Sequence, residues 1–312
     1  MDYQFYKMIY KINFFLIVFI SFLSAQKIPI IIDADTANEV DDLFALSGAL
    51  AESNFNIIGI TASQFNTSPL ASFNTALESK NINDKILQLV NVSSIPSLLG
   101  SPDPLSNTTN VENSQASSFI IENARLYSND NPLYVIILGS STNVATAIIN
   151  APEIVKNIKV FYLGFWHDPL TNLYNKNEFN SRNDPLAINF LLNSSDLDLT
   201  IMTATTSQYM IFYRNELNYY LSNNNSLGSY LINRWDSYER WWADEDKEKK
   251  QWIMWDVAMI EAVANNNYSE YEFFDTPSEN LNRKIKIYTK IDVLNIKNRY
   301  WKKLQTFNNI KL

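Results

Sequence analysis

Short runs of β-branched and aliphatic residues alternate along the chain with longer segments whose apolar positions recur every three or four residues. "IPIIID" precedes "DDLFALSGALAES", "NIIGITA" precedes "SPLASFNTALESKN", and "LYVIILG" precedes "TNVATAIINA", with "IKVFYLG" further on. An apolar run without alternation suits a strand covered on both faces, and the longer segments suit amphipathic helices. Strand and helix in turn at this spacing predict βαβ units: an α/β fold whose open, mostly parallel sheet carries helices on both faces. The stretch from about Asn215 to Lys250 departs from the pattern. It reads as helical and runs into the tryptophan-rich "YLINRWDSYERWWADEDKEKKQW", whose charge run fits a solvated helix end or loop. "KIKIYTKIDVL", residues 284–294, alternates like a late strand.

The first 26 residues follow a different rule. Lys7 and Lys11 precede an apolar run from about Ile12 to Leu23 and then the small residues Ser24 and Ala25, the layout of a cleavable signal peptide. The run is short for a bilayer span, so no membrane span is expected after cleavage, and the mature chain is expected to be secreted or periplasmic. An uncleaved anchor is the alternative. No Pro-, Gly- or Ser-rich linker follows, so residues 1–25 are read as the leader and 26–312 as one domain. The chain has no cysteine, so disulfides and thiolate metal sites are excluded even in an oxidising compartment. Losing two lysines and one aspartate with the leader moves the formal charge from −8 to −9. An acidic chain without a basic stripe is a poor binder of nucleic-acid backbone, although uncharged nucleosides are not excluded.

"IIIDADTANEVDDLFAL" sets Asp33, Asp35, Asp41 and Asp42 where a buried strand passes into a buried helix. Ionised carboxylates crowded at the edge of a core are costly unless a cation or bound protons compensate them. Ligands of open, Rossmann-like sheets sit outside the carboxyl ends of the strands, which is where this crossing loop falls. Asp41 and Asp42 open the helix, whose positive end offsets part of their repulsion. Neighbouring helical positions diverge by about 100°, so the two can serve different targets. A helix cap needs one carboxylate rather than four. Asp256, inside the apolar "WIMWDVAMIEAVA", likewise needs a partner.

D-x-D-x5-D-D after a buried strand resembles the calcium-binding signature of the inosine-uridine-preferring nucleoside hydrolase family, many of whose members have a shorter, glycine-containing loop. The haloacid dehalogenase pattern D-x-D-x-T fits less well, because Ala37 stands where its threonine belongs. Further blocks occur in the family's order. "IIGITASQFN" resembles the second strand and its loop, where an asparagine, here Asn66, touches ribose; Asn66 also begins an N-T-S glycosylation sequon. "LYVIILGSSTNVATAI" resembles the element whose backbone carbonyl coordinates calcium, here Leu138. "NEFNSRNDPLAINFLL" resembles the segment whose Glu-aromatic-Asn triplet, here Glu178 to Asn180, binds the sugar. "WIMWDVAMIEAVA" resembles the helix supplying the last metal aspartate, Asp256.

The resemblance implies Ca2+ held by Asp35, Asp42, Asp256 and the Leu138 carbonyl, with Asp33 in support behind them. It implies a ribonucleoside substrate, whose cis-diol completes the cation's shell, clamped by Asp41, Asn66, Glu178 and Asn180. Asp35 would activate a metal-bound water for attack at C1′, and carboxylates would stabilise the oxocarbenium-like state. Many members protonate the leaving base with a histidine where this chain has Trp255. Base stacking on Trp255 or on Trp241, Trp242 or Trp252 is the alternative, and His167 is the other candidate acid. The tryptophans also suit a core between helices. A homodimer or homotetramer is compatible with the resemblance. Two other functions stay open: a catalytically impaired metal-holding protein that binds ribose-containing ligands, and hydrolysis of a related N-glycoside.

Overall fold

Alternate side chains of a strand point to opposite faces of its sheet. In the computed structural model, which describes residues 27–221, 226–242 and 245–310, the first strand buries both faces. The leader therefore lies outside the described residues. The strands are β1 (Ile28–Ala34), β2 (Phe55–Ala62), β3 (Ser97–Leu99), β4 (Leu133–Ile137), β5 (Ile158–Leu163), β6 (Trp166–Asp168), β7 (Leu173–Asn175), β8 (Asp198–Met202), β9 (Ile211–Tyr213), β10 (Gln251–Ile253), β11 (Ser269–Asp275) and β12 (Lys284–Ile291). Eight of them form one sheet in the order β11-β12-β8-β5-β4-β1-β2-β3. Every pairing in it is parallel except β11 with β12. The predicted open, mostly parallel α/β sheet is the observed fold.

Ile30, Ile32 and Ala34 of β1 enter one core with Phe44, Trp235, Val257 and Trp301, contributed by the helices Asp41–Leu50, Ser226–Ser237, Trp255–Ala264 and Val293–Ile310. Ile31, between them in sequence, enters the other core with Ile120, Val144 and Ile188 of the helices Gln115–Ala124, Thr142–Asn150 and Pro185–Asn193. A strand so covered must be apolar throughout, which is why "PIII" shows no alternation. From β1 the chain moves to β2 and β3 on one side, then returns to β4 on the other. The sheet thus has its topological switch between β1 and β4, where a crevice opens at the carboxyl ends.

The elements differ from the expected ones at several boundaries, each with a local cause. Asn74 caps the helix Thr75–Leu89 by accepting from the Leu77 amide at 3.0 Å, so that helix begins later than its apolar pattern. The stretch expected to be helical to Lys250 stops at Ser237, and Arg240 and Asp246 pair across the turns that follow. The late strand ends at Ile291. Asp292 accepts from the Asn295 amide at 3.1 Å and starts the Val293–Ile310 helix there. No helix among the described residues is long and apolar enough to cross a membrane.

Candidate active site

Strand β1 delivers Asp35 to the carboxyl edge of the sheet, beside the switch point. The loop from Asp35 to Val40 turns at once, the Asn38 amide donating to the Asp35 carbonyl at 2.7 Å. Its outer side is fastened from elsewhere in the chain. Thr36 Oγ1 donates to Asn83 at 2.6 Å, Arg234 donates to the carbonyls of Ala37 at 2.6 Å and Glu39 at 3.5 Å, and the Tyr238 hydroxyl donates to the Asn38 carbonyl. At Gly139, after β4, an added Cβ would lie 2.4 Å from Ser63 Oγ and 2.8 Å from Asp35 Oδ1. Only glycine lets that backbone approach the carboxylate so closely.

The Asp41–Leu50 helix packs beside Trp255–Ala264, and their N-termini meet at the same edge. Asp41 Oδ2 accepts from the Asp256 amide at 3.2 Å, satisfying one donor at the start of the second helix. Carboxylate oxygens of Asp41, Asp42 and Asp256 lie within 4.8 Å of one another. This triad contains Asp41, expected only to hold substrate, and does not contain Asp35, which faces the same cleft. All four residues are buried, and Asp35 Oδ2 and Asp42 Oδ1 have no hydrogen-bond partner in the protein.

Burial and then the neighbouring Asp42 and Asp41 charges push the Asp35 carboxyl well above its ordinary range. Burial and the Asp41 charge raise Asp42; burial and the charges of Asp41, Asp42 and Asp35 raise Asp256. Burial carries Asp41 up to about 7 against the backbone amides that oppose it. Arg234 is a weaker influence on Asp42 than burial and Asp41 are. An all-oxygen donor set of this charge, with two oxygens unmet, fits a hard divalent cation. Asp33 supports it from behind: its Oδ1 accepts from Thr61 at 2.6 Å and Asn143 at 2.9 Å, and burial carries its carboxyl up to about 7.

The cluster lines a cavity of about 310 Å³. Glu178, Asn180, Leu138 and Trp255 line it as well. The Glu178 carboxylate caps the helix Phe179–Asn183, accepting from the amides of Asn180 and Ser181, and also from that of Phe165 at 3.1 Å. Burial raises its pKa, and these donors oppose the rise. Asn180 Nδ2 donates to the Leu138 carbonyl at 2.6 Å and to the Leu163 carbonyl at 3.1 Å. The oxygen expected to face a cation is therefore already an acceptor. Aromatic rings line the same cavity: Trp166 lies edge-on to Trp255 at 5.9 Å, and Trp241 and Trp242 line it too. Trp252, by contrast, belongs to the core.

Two expected participants are not brought to this cavity. Asn66 is exposed, donating to the Pro102 carbonyl at 2.8 Å and accepting from Thr75 Oγ1 at 2.6 Å, so its amide serves its own loop. His167 lies on the far side of the β6–β7 hairpin, 3.0 Å from Asn172 Oδ1 and packed on Tyr174 and Phe274. Burial lowers its pKa. Asn38, Glu39 and Trp166 line the cavity although the sequence did not single them out. Asn38 and Glu39 lie within the acidic loop itself, and that adjacency was the available signal.

Residues 30–298 match the family model described as inosine-uridine preferring nucleoside hydrolase. No curated protein matches the chain. Among solved structures, a purine-preferring ribonucleoside hydrolase from Gardnerella vaginalis superposes with a TM-score of 0.73 at 18% identity, over 90% of this chain and 99% of that one. A plant nucleoside hydrolase gives 0.70 at 15% identity, over 89% and 98%. An inosine-uridine preferring nucleoside hydrolase from Bacillus anthracis gives 0.64 at 14% identity, over 90% and 99%. At these identities the superpositions establish the fold.

Proposed function

Since the chain belongs to the inosine-uridine preferring nucleoside hydrolase family, and is thereby an N-glycosidase of nucleosides, we propose that it is a calcium-dependent ribonucleoside hydrolase with Asp35 as its base. The observation that carries this reading is the pair of buried, unmet oxygens on Asp35 and Asp42, in residues lining a cavity shared by carboxylates and tryptophans. Asp42 and Asp256, with Asp41 beside them, would hold the cation, and Asp35 faces the same space. When bound, Ca2+ supplies the positive charge that keeps these carboxylates ionised and attracts a vicinal diol.

The chain's own groups then divide the chemistry. Asp35 accepts a proton from the attacking water as the C1′–O bond forms and the C1′–N bond breaks, its electron pair leaving with the base. The surrounding carboxylates stabilise the positive charge developing on the sugar ring. Glu178 and Asn180 orient the ribose, and Trp255 with Trp166 walls the base. The departing base takes its proton from water, since the described histidine lies outside the cavity.

The test is ribose release from inosine, guanosine, adenosine and uridine, followed by a reducing-sugar assay with calcium or with chelator. The expected result is release that chelator abolishes and calcium restores; no release from any of the four overturns the proposal. A second reading, retention of ribose-containing ligands without turnover, is favoured by the lack of a histidine in the cavity. Binding by calorimetry without product selects it. We also propose that residues 1–25 direct export and that the mature chain is a homodimer or homotetramer. N-terminal sequencing of the processed protein and its mass in solution check these two points.

A further inference from the structure

The loop that carries Asp35 holds a second set of side chains whose arrangement the hydrolysis does not use. Its backbone accepts hydrogen bonds from Arg234 and Tyr238, and Asn38 and Glu39 are among the residues lining the cavity. Asn38 is 5% exposed, and its buried amide oxygen has no partner in the protein. Glu39 meets two indole donors: Trp252 Nε1 lies 3.5 Å from Oε2, and the Trp242 side chain also hydrogen-bonds its carboxyl. Buried acceptors are nearly always met in folded proteins, so one left unmet in a cavity wall points to a donor on a ligand.

The Asp41 and Asp42 charges act on Glu39, whose own side-chain partners are indole rings. Glu39 reaches Trp252, and Trp242, which packs edge-on against Trp252 at 6.1 Å, lines the cavity with it. Aromatic walls receive the flat faces of a heterocycle, and polar groups at their rim meet its edge. A carboxylate offers two acceptor oxygens side by side, and an amide oxygen offers a third. We propose that Asn38 and Glu39 form a base-reading edge that selects nucleobases presenting adjacent N–H donors, guanine above all. This rests on the reading of the cavity as a nucleoside site. Guanine offers N1–H and the 2-amino group on one edge, hypoxanthine offers N1–H alone, and adenine has an acceptor at N1.

Binding separates this inference from the hydrolysis itself. The full chain with Asp35→Asn is titrated with guanosine, inosine and adenosine in the presence of calcium, and quenching of tryptophan fluorescence is read. Guanosine is expected to bind about tenfold or more tighter than adenosine, with inosine between, as for hydrogen bonds to a charged group. Adding Glu39→Gln should collapse that order to within about twofold, because its NH2 opposes the base's donors. Asn38→Ala, a milder change, should weaken guanosine by about threefold to tenfold while leaving adenosine within about twofold. Equal affinities, or an order that neither variant alters, overturn the base-reading role and leave the nucleoside site standing. Failure of all three nucleosides to bind overturns the nucleoside reading and this inference with it.

Discussion

The helices Asp41–Leu50 and Trp255–Ala264 lie side by side, and acids are buried at both ends of the pair with opposite consequences. Beyond the C-terminus of the first stands Glu52, and near that of the second Glu261, both buried. Arg299 and Lys303 of the last helix each contact both glutamates: Arg299 lies 2.7 Å from Glu261 Oε2, and Lys303 lies 3.0 Å from Glu52 Oε2. Burial raises the Glu52 pKa, but the charge and hydrogen bond of Lys303, with Arg299, outweigh it and hold the carboxyl below its usual value. At the N-terminal ends Asp41, Asp42 and Asp256 are as deeply buried and form no ion pair among the described residues. One end carries its own cations as part of the chain. The other, on the function proposed above, takes one from solution.

This contrast can be broken at either end. The largest effect is expected from Asp35→Asn, which should lower kcat by about 10²- to 10⁴-fold, the range for loss of a general base. The variant should melt no lower than wild type, since an amide relieves repulsion in the cluster. Steady-state kinetics with a thermal melt check both halves. Next, Arg299→Met should cost about 3–5 kcal/mol of stability by leaving Glu52 and Glu261 short of a cation in the interior. Denaturant unfolding should show this loss undiminished by saturating calcium.

The third effect concerns pH and the cation together. Without metal, Asp33 and Asp41 titrate at about 7, and Asp35, Asp42 and Asp256 are also raised. A carboxyl whose folded pKa exceeds its unfolded one stabilises fully below the unfolded value, and that contribution is lost as pH rises through the folded value. The cation-free protein should therefore lose stability between about pH 4 and about pH 7. Calcium at a hundred times its dissociation constant should return about 2.7 kcal/mol above that window. The lowered Glu52 runs the other way, its contribution present near neutrality and lost in acid. Melting curves from pH 3 to 8, with calcium and with chelator, separate the two arms. The smallest effect is expected at Asn66, outside both clusters: Asn66→Ala should cost about 0.5–1.5 kcal/mol of loop stability and change kcat/KM less than about twofold, the ordinary outcome for an exposed site.

The strands covered on both faces and the helix beginning at Asp41 were legible because their burial imposes a pattern on the sequence. Strand β11 was not, since it is an edge strand with most of its residues exposed, and "SEYEFFD" has little to alternate against. At the site, chemistry marked Asp35, Asp42 and Asp256 as acids in need of a partner, because buried aspartates are rarely left alone, while only the family resemblance grouped them. Asn66 could not be told from Asn38 in that way. Both are asparagines in loops after strands, and only the hydrogen bonds of Asn66 to Pro102 and Thr75 show which one is already engaged. The tryptophans divide for the same reason: Trp252 packs within the core, while Trp242 and Trp255 reach the cavity, through contacts made by residues distant in sequence.

The most direct measurement is a calorimetric titration of Ca2+ into the chelator-stripped full chain, alongside its Asp256→Asn variant. Saturable binding of one ion per chain is expected, and the variant should lose it while staying folded with its Glu52–Arg299 end intact. Absence of binding at millimolar calcium, or equal binding by the variant, would contradict the proposed site.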